Sequence, residues 1–221
     1  NQWQDLYFDN LGSGPYVHNG KEVGRRSLKN LALRYLSNAK TDDSLQLLEK
    51  QISNSDNMTD RLSALATLIN DPRPSAINTA NELLDQFYVD WKHEPLVLNQ
   101  WFQLQASCSL PGTLERVKAL ISHSAFDFKN PNKVRSLIGV FCSSNPTNFH
   151  SDSGVGYQFL TDHVLSLDKV NPQIAARILA PLTRWRRFPK ARGECMRAHL
   201  DKVVSFNGLS RDTYEIASKS L

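Results

Sequence analysis

The histidines are the residues of this sequence with the greatest capacity for metal binding. There are six, at His18, His93, His123, His150, His163 and His199. No two stand four positions apart, the spacing that directs two imidazoles from one helix face towards one zinc ion. His93-Glu94 begins like a zinc-binding His-Glu-x-x-His motif, but Val97 occupies the position of the second histidine. The sequence therefore predicts no metal site within this chain.

Motifs for nucleophilic catalysis and phosphate binding are missing as well. Cys108, Cys142 and Cys195 are widely spaced and form no Cys-x-x-Cys pair, which favours reduced thiols in a cytosolic protein. Gly154-Val155-Gly156 lacks the rest of a phosphate-binding fingerprint, and there is no Gly-x-Ser-x-Gly turn. The sequence leaves open a catalytic set assembled from distant positions, but we expect no catalytic centre in this chain.

The charge of the chain is weakly basic, with a formal net charge of +4 and a pI of about 9.0. One dense basic run with interleaved aromatics, residues 184–192, could contact phosphates. Over the whole chain 26 basic residues mix with 22 acidic ones, which disfavours nucleic acid as a partner. Apolar runs are only a few residues long, so we expect no membrane span.

Apolar residues recur with helical spacing almost throughout the chain after residue 20. One predicted buried stripe consists of Leu28, Leu31, Ala32, Tyr35 and Leu36. Asn130-Pro131, Asn145-Pro146 and Asn171-Pro172 are typical helix starts, because asparagine caps a free N–H and proline has none to satisfy. We predict an all-α fold of about ten or eleven short helices. An irregular α-solenoid of armadillo/HEAT-like pairs is favoured, and an irregular bundle is the alternative.

The first twenty residues have a different composition from the rest. Gly12, Gly14, Pro15 and Gly20 predict an extended lead-in over residues 1–20, followed by a single helical domain over residues 21–221. The start at Asn1 lacks both an initiator methionine and a leader sequence. We therefore expect the chain to be part of a longer polypeptide.

Several short blocks, in one order, resemble a known family from about residue 20 onwards. They are Gly24-Arg25-Arg26 with Leu28-Lys29-Asn30, residues 57–60, Trp101-Phe102 with Leu104-Gln105-Ala106, residues 130–139, Ser144-Asn145-Pro146 with Phe149-His150, Gly156-Tyr157, and Asn171-Pro172-Gln173 with Arg177. Together they resemble the C-terminal domain of bacterial aminopeptidase N, a gluzincin zinc metallopeptidase family. We expect residues 57–60 to form a helix cap rather than a site.

The resemblance implies a non-catalytic module of a cytoplasmic zinc enzyme that removes N-terminal residues from peptides. Zinc and its ligands would belong to a catalytic domain of the same polypeptide that this sequence lacks. The family's C-terminal domain is a helical superhelix that closes over the catalytic domain and lines the peptide channel. A large apolar surface should then be exposed in this chain, where the partner domain is missing.

Three residues match cavity-lining positions of the family: Arg135, Gln173 and Arg177. Gln173 and Arg177 are four residues apart and share a helix face, and a guanidinium can hold a peptide carboxylate through two hydrogen bonds. A solvated or salt-bridged arginine beside a core stripe is the plain alternative. Two other functions remain open: a free-standing helical-repeat scaffold for a protein or peptide, and a basic nucleic-acid binder centred on residues 184–192.

Overall fold

The computed structural model describes residues 2–12 and 14–221, and these residues form helices without any strand. The predicted all-α fold is therefore confirmed. The chain divides into two compact units, residues 1–91 and 92–221, whereas the sequence predicted one domain over residues 21–221. We describe each unit by itself. No helix of the described part is long and apolar enough to cross a membrane.

Unit 1 is built from consecutive helices joined by short loops. They are α1 (Gln2–Asp9), α2 (Gly20–Ser37), α3 (Asp42–Asn54), α4 (Met58–Leu68) and α5 (Pro74–Trp91). Asn19, Thr41 and Asn57 cap α2, α3 and α4, each accepting a hydrogen bond from a backbone N–H three residues on. The predicted cap at Asn57 is thus confirmed, with an Oδ1 distance of 2.9 Å to the Asp60 amide.

The predicted extended lead-in over residues 1–20 is wrong for residues 2–9, which form α1 and pack against α2. The glycines and the proline come only after this helix, so they do not interrupt it. Tyr7 anchors α1 because its side chain is buried with 3% exposure. The segment between the helices is held by α2, since Arg25 donates to the Asn10 carbonyl and Arg26 to the Val17 carbonyl.

The buried face of α2 also differs from the predicted apolar stripe. Leu28 and Tyr35 are 45% and 47% exposed, while Arg26 and Lys29 are 4% and 6% exposed. The stripe rule assumes that apolar residues are the ones a helix buries. Here polar side chains can be buried because α4 supplies a carboxylate, Asp60, to pair with Lys29.

Unit 2 has one interrupted helix among regular ones. Its elements are α6 (Pro95–Ser107), α7 (Thr113–Ile121), α8 (Pro131–Val134), a π-helical segment (Arg135–Gly139), α9 (Val140–Ser144), α10 (Pro146–Phe149), α11 (Val155–Asp168), α12 (Pro172–Ile178), α13 (Ala180–Thr183), a 3₁₀ turn (Trp185–Arg187), α14 (Lys190–Val204) and α15 (Arg211–Ser220). All three predicted Asn-Pro helix starts are confirmed, with each asparagine accepting from the backbone of its helix.

An aromatic cluster forms part of the core of unit 2. Phe141 meets Phe149 and Phe159 edge-on, with ring centroids 6.3 and 5.4 Å apart. Gly156 lets α11 approach α10 closely, because a Cβ atom there would lie 2.2 Å from the Phe149 carbonyl oxygen. This packing holds α11, against which α12 lies.

Candidate functional site

Gln173 and Arg177 lie on the exposed face of α12. The helix starts at Pro172, after Asn171 accepts a hydrogen bond from the Ile174 amide at 3.2 Å. Its buried residues are Ile174, Ala175 and Ile178. Gln173 and Arg177 are one turn apart and both exposed, so they share a face that flanks the buried one, as the sequence predicted.

These two side chains line an open groove of about 790 Å³ between α12 and α15. The α15 side of the groove presents Asp212, Glu215 and Lys219. The Lys219 ammonium donates to the Glu215 carboxylate at 2.5 Å and thereby lowers the pKa of that carboxyl. Within residues 2–12 and 14–221, no hydrogen bond or ion pair occupies the side chains of Gln173 and Arg177. Their polar groups are therefore available to a ligand.

Arg135 lies at the start of the π-helical segment and is exposed. Its Nε donates to the Pro131 carbonyl at 3.2 Å, and its Nη2 donates to Asn132 Oδ1 at 2.6 Å. The Val140 amide donates to the Arg135 carbonyl five residues back, the π-helical pattern that recurs at functional sites. The segment contacts α12, but Arg135 is not among the residues that line the α12–α15 groove.

His150, His163 and His199 make internal contacts in unit 2. No group of three or more histidine, cysteine, aspartate or glutamate residues in that part of the chain is arranged to hold a metal ion. His150 Nδ1 lies 2.8 Å from the Tyr157 hydroxyl, and burial raises the pKa of Tyr157 to about 12. His199 Nδ1 similarly lies 3.1 Å from the Thr161 hydroxyl. None of the three cysteines forms a disulfide.

A buried polar network in unit 1 was not predicted from the sequence. Lys29 Nζ lies 2.5 Å from Asp60 Oδ2, and Asn30 Nδ2 donates to Asp60 Oδ1 at 2.9 Å. Gln51 Nε2 donates to Asn30 Oδ1 at 2.7 Å and continues the network into α3. Lysine and aspartate at helical positions are normally solvated, so no local signal marked them as buried.

Exposed apolar side chains are concentrated on α1, α2 and the segment between them. We call this the α1–α2 surface, and its members are Trp3, Phe8, Leu11, Tyr16, Val17, Val23, Leu28 and Tyr35. Trp3 and Tyr35 stack face to face, with ring centroids 4.3 Å apart and planes inclined by 5°. Stacking fixes two large rings on the outside of the unit, where they present a flat apolar surface.

The basic run at residues 184–192 is partly engaged within unit 2. Arg186 donates to the carbonyls of Ser220 and Leu221, and the Trp185 indole donates to Ser220 at 2.9 Å. Arg192 pairs with Asp152 at 2.9 Å. These contacts give part of the run a structural role at the end of α15 and beside α11.

Comparison with known proteins gives the family of this chain. A family described as a domain of unknown function with ARM repeats (DUF3458_C) matches residues 1–221. Aminopeptidase N of Caulobacter vibrioides is 38% identical over 212 residues, which cover 95% of this chain and 24% of that protein. The chain belongs to this family, the C-terminal domain of aminopeptidase N. The resemblance found in the sequence and the armadillo-like class are both confirmed.

Two further relatives support the same family for this aminopeptidase N domain. Aminopeptidase N of Escherichia coli is 37% identical over 201 residues, 91% of this chain and 23% of that protein. The crystal structure of Legionella pneumophila aminopeptidase A in complex with aspartic acid has a TM-score of 0.89 and 34% identity, and the match covers 99% of this chain and 26% of that one. The chain thus spans about a quarter of the length of these relatives.

Proposed function

We propose that this chain is the non-catalytic C-terminal domain of a cytoplasmic zinc aminopeptidase. It caps the catalytic domain of the same polypeptide and lines the channel through which peptides reach the active site. The α12–α15 groove, with Gln173 and Arg177 on one wall, is the observation that carries the channel role. Zinc belongs to the catalytic domain, and cysteines that form no disulfide suit a reducing compartment.

The chemistry of the groove suits a peptide with a free C-terminal carboxylate. The Arg177 guanidinium has no internal partner in the described part of the chain, and a planar guanidinium holds a carboxylate through two parallel hydrogen bonds. Gln173 offers both an amide donor and an acceptor one turn away. Arg135 gives a further exposed guanidinium on the neighbouring π-helical segment, where Asn132 and the Pro131 carbonyl orient it.

The α1–α2 surface supports the capping role. The stacked Trp3 and Tyr35 rings and the other exposed apolar side chains of α1 and α2 suit burial against a partner, because apolar patches on a protein surface mark interaction sites. The parent polypeptide, about four times as long in the relatives, supplies a covalently linked partner for this surface. Covering it removes apolar area from water, which stabilises the contact by about 25 cal/mol for each Å² buried.

The channel role is tested by the kinetics of the full-length parent enzyme. A tripeptide, the same tripeptide with an amidated C-terminus, and a single-residue anilide are compared in wild type and Arg177→Ala. Loss of a charge-assisted hydrogen-bonding partner should lower kcat/KM for the free tripeptide about tenfold to a hundredfold. The amidated tripeptide and the anilide should change little. Arg135→Ala and Gln173→Ala should act in the same direction.

The matched control is Arg184→Ala, which removes an exposed arginine that does not line the groove. Equal effects of Arg177→Ala and Arg184→Ala on all three substrates would overturn the channel role. The parent should also contain zinc and hydrolyse the anilide, whereas the isolated chain should do neither. A parent with neither zinc nor activity would leave the free-standing scaffold as the better account.

The capping role is tested by radical footprinting of the full-length parent. Tyr35 and Tyr214 are 47% and 50% exposed, so their side chains should oxidise at similar rates if both face solvent. A cap that covers the α1–α2 surface should protect Tyr35 and Trp3 and leave Tyr214 reactive. Equal oxidation of Tyr35 and Tyr214 would refute coverage of this surface.

A further inference from the structure

A second cavity, of about 360 Å³, lies in unit 1, apart from the α12–α15 groove. It is lined by parts of α1, α2, α3 and α4 and by the segment after α1. Its volume is within the range of small-molecule sites, which start near 300 Å³. The Lys29–Asp60 pair and Gln51 form its polar end. The aromatic residues Tyr7, Phe8 and Tyr16 contribute to its other walls.

One deeply buried side chain in this cavity has a polar atom without a protein partner. Gln51 is 6% exposed, and its amide nitrogen donates to Asn30 Oδ1 and to the Asp60 carbonyl. Its Oε1 has no hydrogen-bond partner among the described residues. Tyr7, which is 3% exposed, lines the same cavity. Since burying a polar atom unpaired is costly, Gln51 Oε1 points to a bound molecule that completes its hydrogen bonding.

The unpaired charges around the cavity carry both signs, with cations in excess. Arg26 donates to the Val17 carbonyl and lies over the Tyr16 ring at 4.6 Å, but has no acidic partner among the described residues. Lys50 is exposed and likewise forms no ion pair there. Asp56 also lines the cavity and is not paired with a cation within the described residues. Charges of both signs around a cavity attract a ligand that carries both a carboxylate and an ammonium group.

The remaining wall is partly polar, with Asn54, Ser55 and Asn57, and partly apolar. Phe8, Leu11 and Tyr16 are 47%, 45% and 46% exposed, and Leu47 of α3 lines the same cavity. Gly12 adjoins the Arg25 guanidinium, so the segment after α1 stays close to α2. A ligand must therefore combine a small apolar body with a carboxylate and at least one hydrogen-bond donor for Gln51 Oε1.

We propose that this cavity binds a free amino acid with an apolar side chain. Its carboxylate contacts Arg26 and Lys50, its α-ammonium group donates to Gln51 Oε1, and its side chain packs against the aromatic and aliphatic wall. The Tyr7 hydroxyl supplies a further hydrogen bond to the polar end of the ligand. This site shares no residue with the α12–α15 groove and does not rest on the proposed channel role, although Phe8, Leu11 and Tyr16 of its wall also belong to the α1–α2 surface.

The test is equilibrium dialysis of the full-length parent protein with radiolabelled L-leucine, counting bound molecules per chain. Lys50→Gln removes an unpaired cation at the rim, and Tyr7→Phe removes only a hydroxyl from a ring that stays in place. Both variants should weaken one class of sites about threefold to tenfold, the loss expected for one hydrogen bond or partly solvated charge. Leucinamide and 4-methylpentanoate, which lack the carboxylate and the ammonium group respectively, should compete poorly for that class.

Lys118→Gln is the matched control, because it removes an exposed lysine that does not line this cavity. It should bind leucine as wild type does. If the catalytic domain also binds leucine, it adds a second class of sites that these variants do not affect. The dialysis result can therefore be interpreted even if the proposed function fails its own test. Unchanged binding in Lys50→Gln and Tyr7→Phe, or equal competition by leucinamide, would overturn the proposal. Absence of any leucine binding would overturn it as well.

Discussion

Asp60→Asn should lower the free energy of unfolding of unit 1 by about 3–5 kcal/mol, the usual effect of removing one partner of a buried ion pair. Lys29 Nζ lies 2.5 Å from Asp60 Oδ2, and the two side chains are 8% and 4% exposed. Oδ1 accepts from Asn30, while Oδ2 accepts from Lys29 and from Asn57. An asparagine NH₂ group would therefore face a donor in either orientation, in addition to leaving the Lys29 charge uncompensated.

The stability lost in Asp60→Asn should depend on pH. Burial alone would raise the pKa of Asp60, but hydrogen bonds from Lys29, Asn57 and Asn30 outweigh it and hold the pKa below the ordinary value of 3.8. The stabilisation from Asp60 is thus present above pH 3.8 and is lost as the pH falls through the lower pKa of the folded state. The gap between wild type and Asp60→Asn should accordingly narrow in acid.

Hydrogen–deuterium exchange in the full-length parent measures this effect locally, in the amides of α2 and α4. A loss of about 3 kcal/mol should speed exchange there roughly a hundredfold. The matched control is Asp152→Asn, since Asp152 pairs with Arg192 at 2.9 Å but its side chain is 98% exposed. An exposed pair contributes about 0–1 kcal/mol. Equal exchange in the two variants would refute a dependence of unit 1 on the buried pair.

Three further changes test the packing. Gly156→Ala should destabilise unit 2 by about 1–3 kcal/mol in thermal unfolding, because its Cβ would meet the Phe149 carbonyl at 2.2 Å. A Cβ atom at Gly24 of α2 would meet nothing within 4 Å, so Gly24→Ala should stabilise unit 1 by about 0.5–1 kcal/mol. A loss of stability would contradict the open environment of this position. Burial lowers the pKa of His163 below 6.5, so stability is lost as the pH falls below that value; His163→Phe should make exchange in α11 less acid-sensitive.

Local rules accounted for much of the helical framework. Asn130, Asn145 and Asn171 cap their helices as predicted, because the interaction involves only a side chain and the next two or three amides. The glycines between α1 and α2 were correctly placed outside a helix, but they led to an incorrect extended assignment for residues 2–9. A composition shift over twenty residues cannot resolve an eight-residue helix that is stabilised by burial of Tyr7.

Non-local pairing explains the larger error on α2. The sequence pattern favours burial of Leu28 and Tyr35, and that preference is reversed by Asp60, 31 residues beyond Lys29. No periodicity within α2 contains this information. The π-helical segment at residues 135–139 could not be predicted from the sequence for the same reason. Its extra residue per turn is set by the packing around it rather than by a local propensity.

The contacts of the cationic residues separate structural from functional positions. Arg25, Arg26 and Lys29, which lie in the blocks that carry the family resemblance, are engaged by Glu22, the Val17 carbonyl and Asp60. Folding of unit 1 is a sufficient reason for the presence of Arg25 and Lys29, whereas Arg26 retains an uncompensated charge in the lining of the unit 1 cavity. Arg177 has no such internal contact in the described part of the chain and is exposed on a groove wall. Its removal should therefore alter peptide turnover and leave stability almost unchanged, whereas Asp60→Asn should do the reverse. Comparable losses of stability in both variants would show that Arg177 is structural and would remove the main support for a channel role.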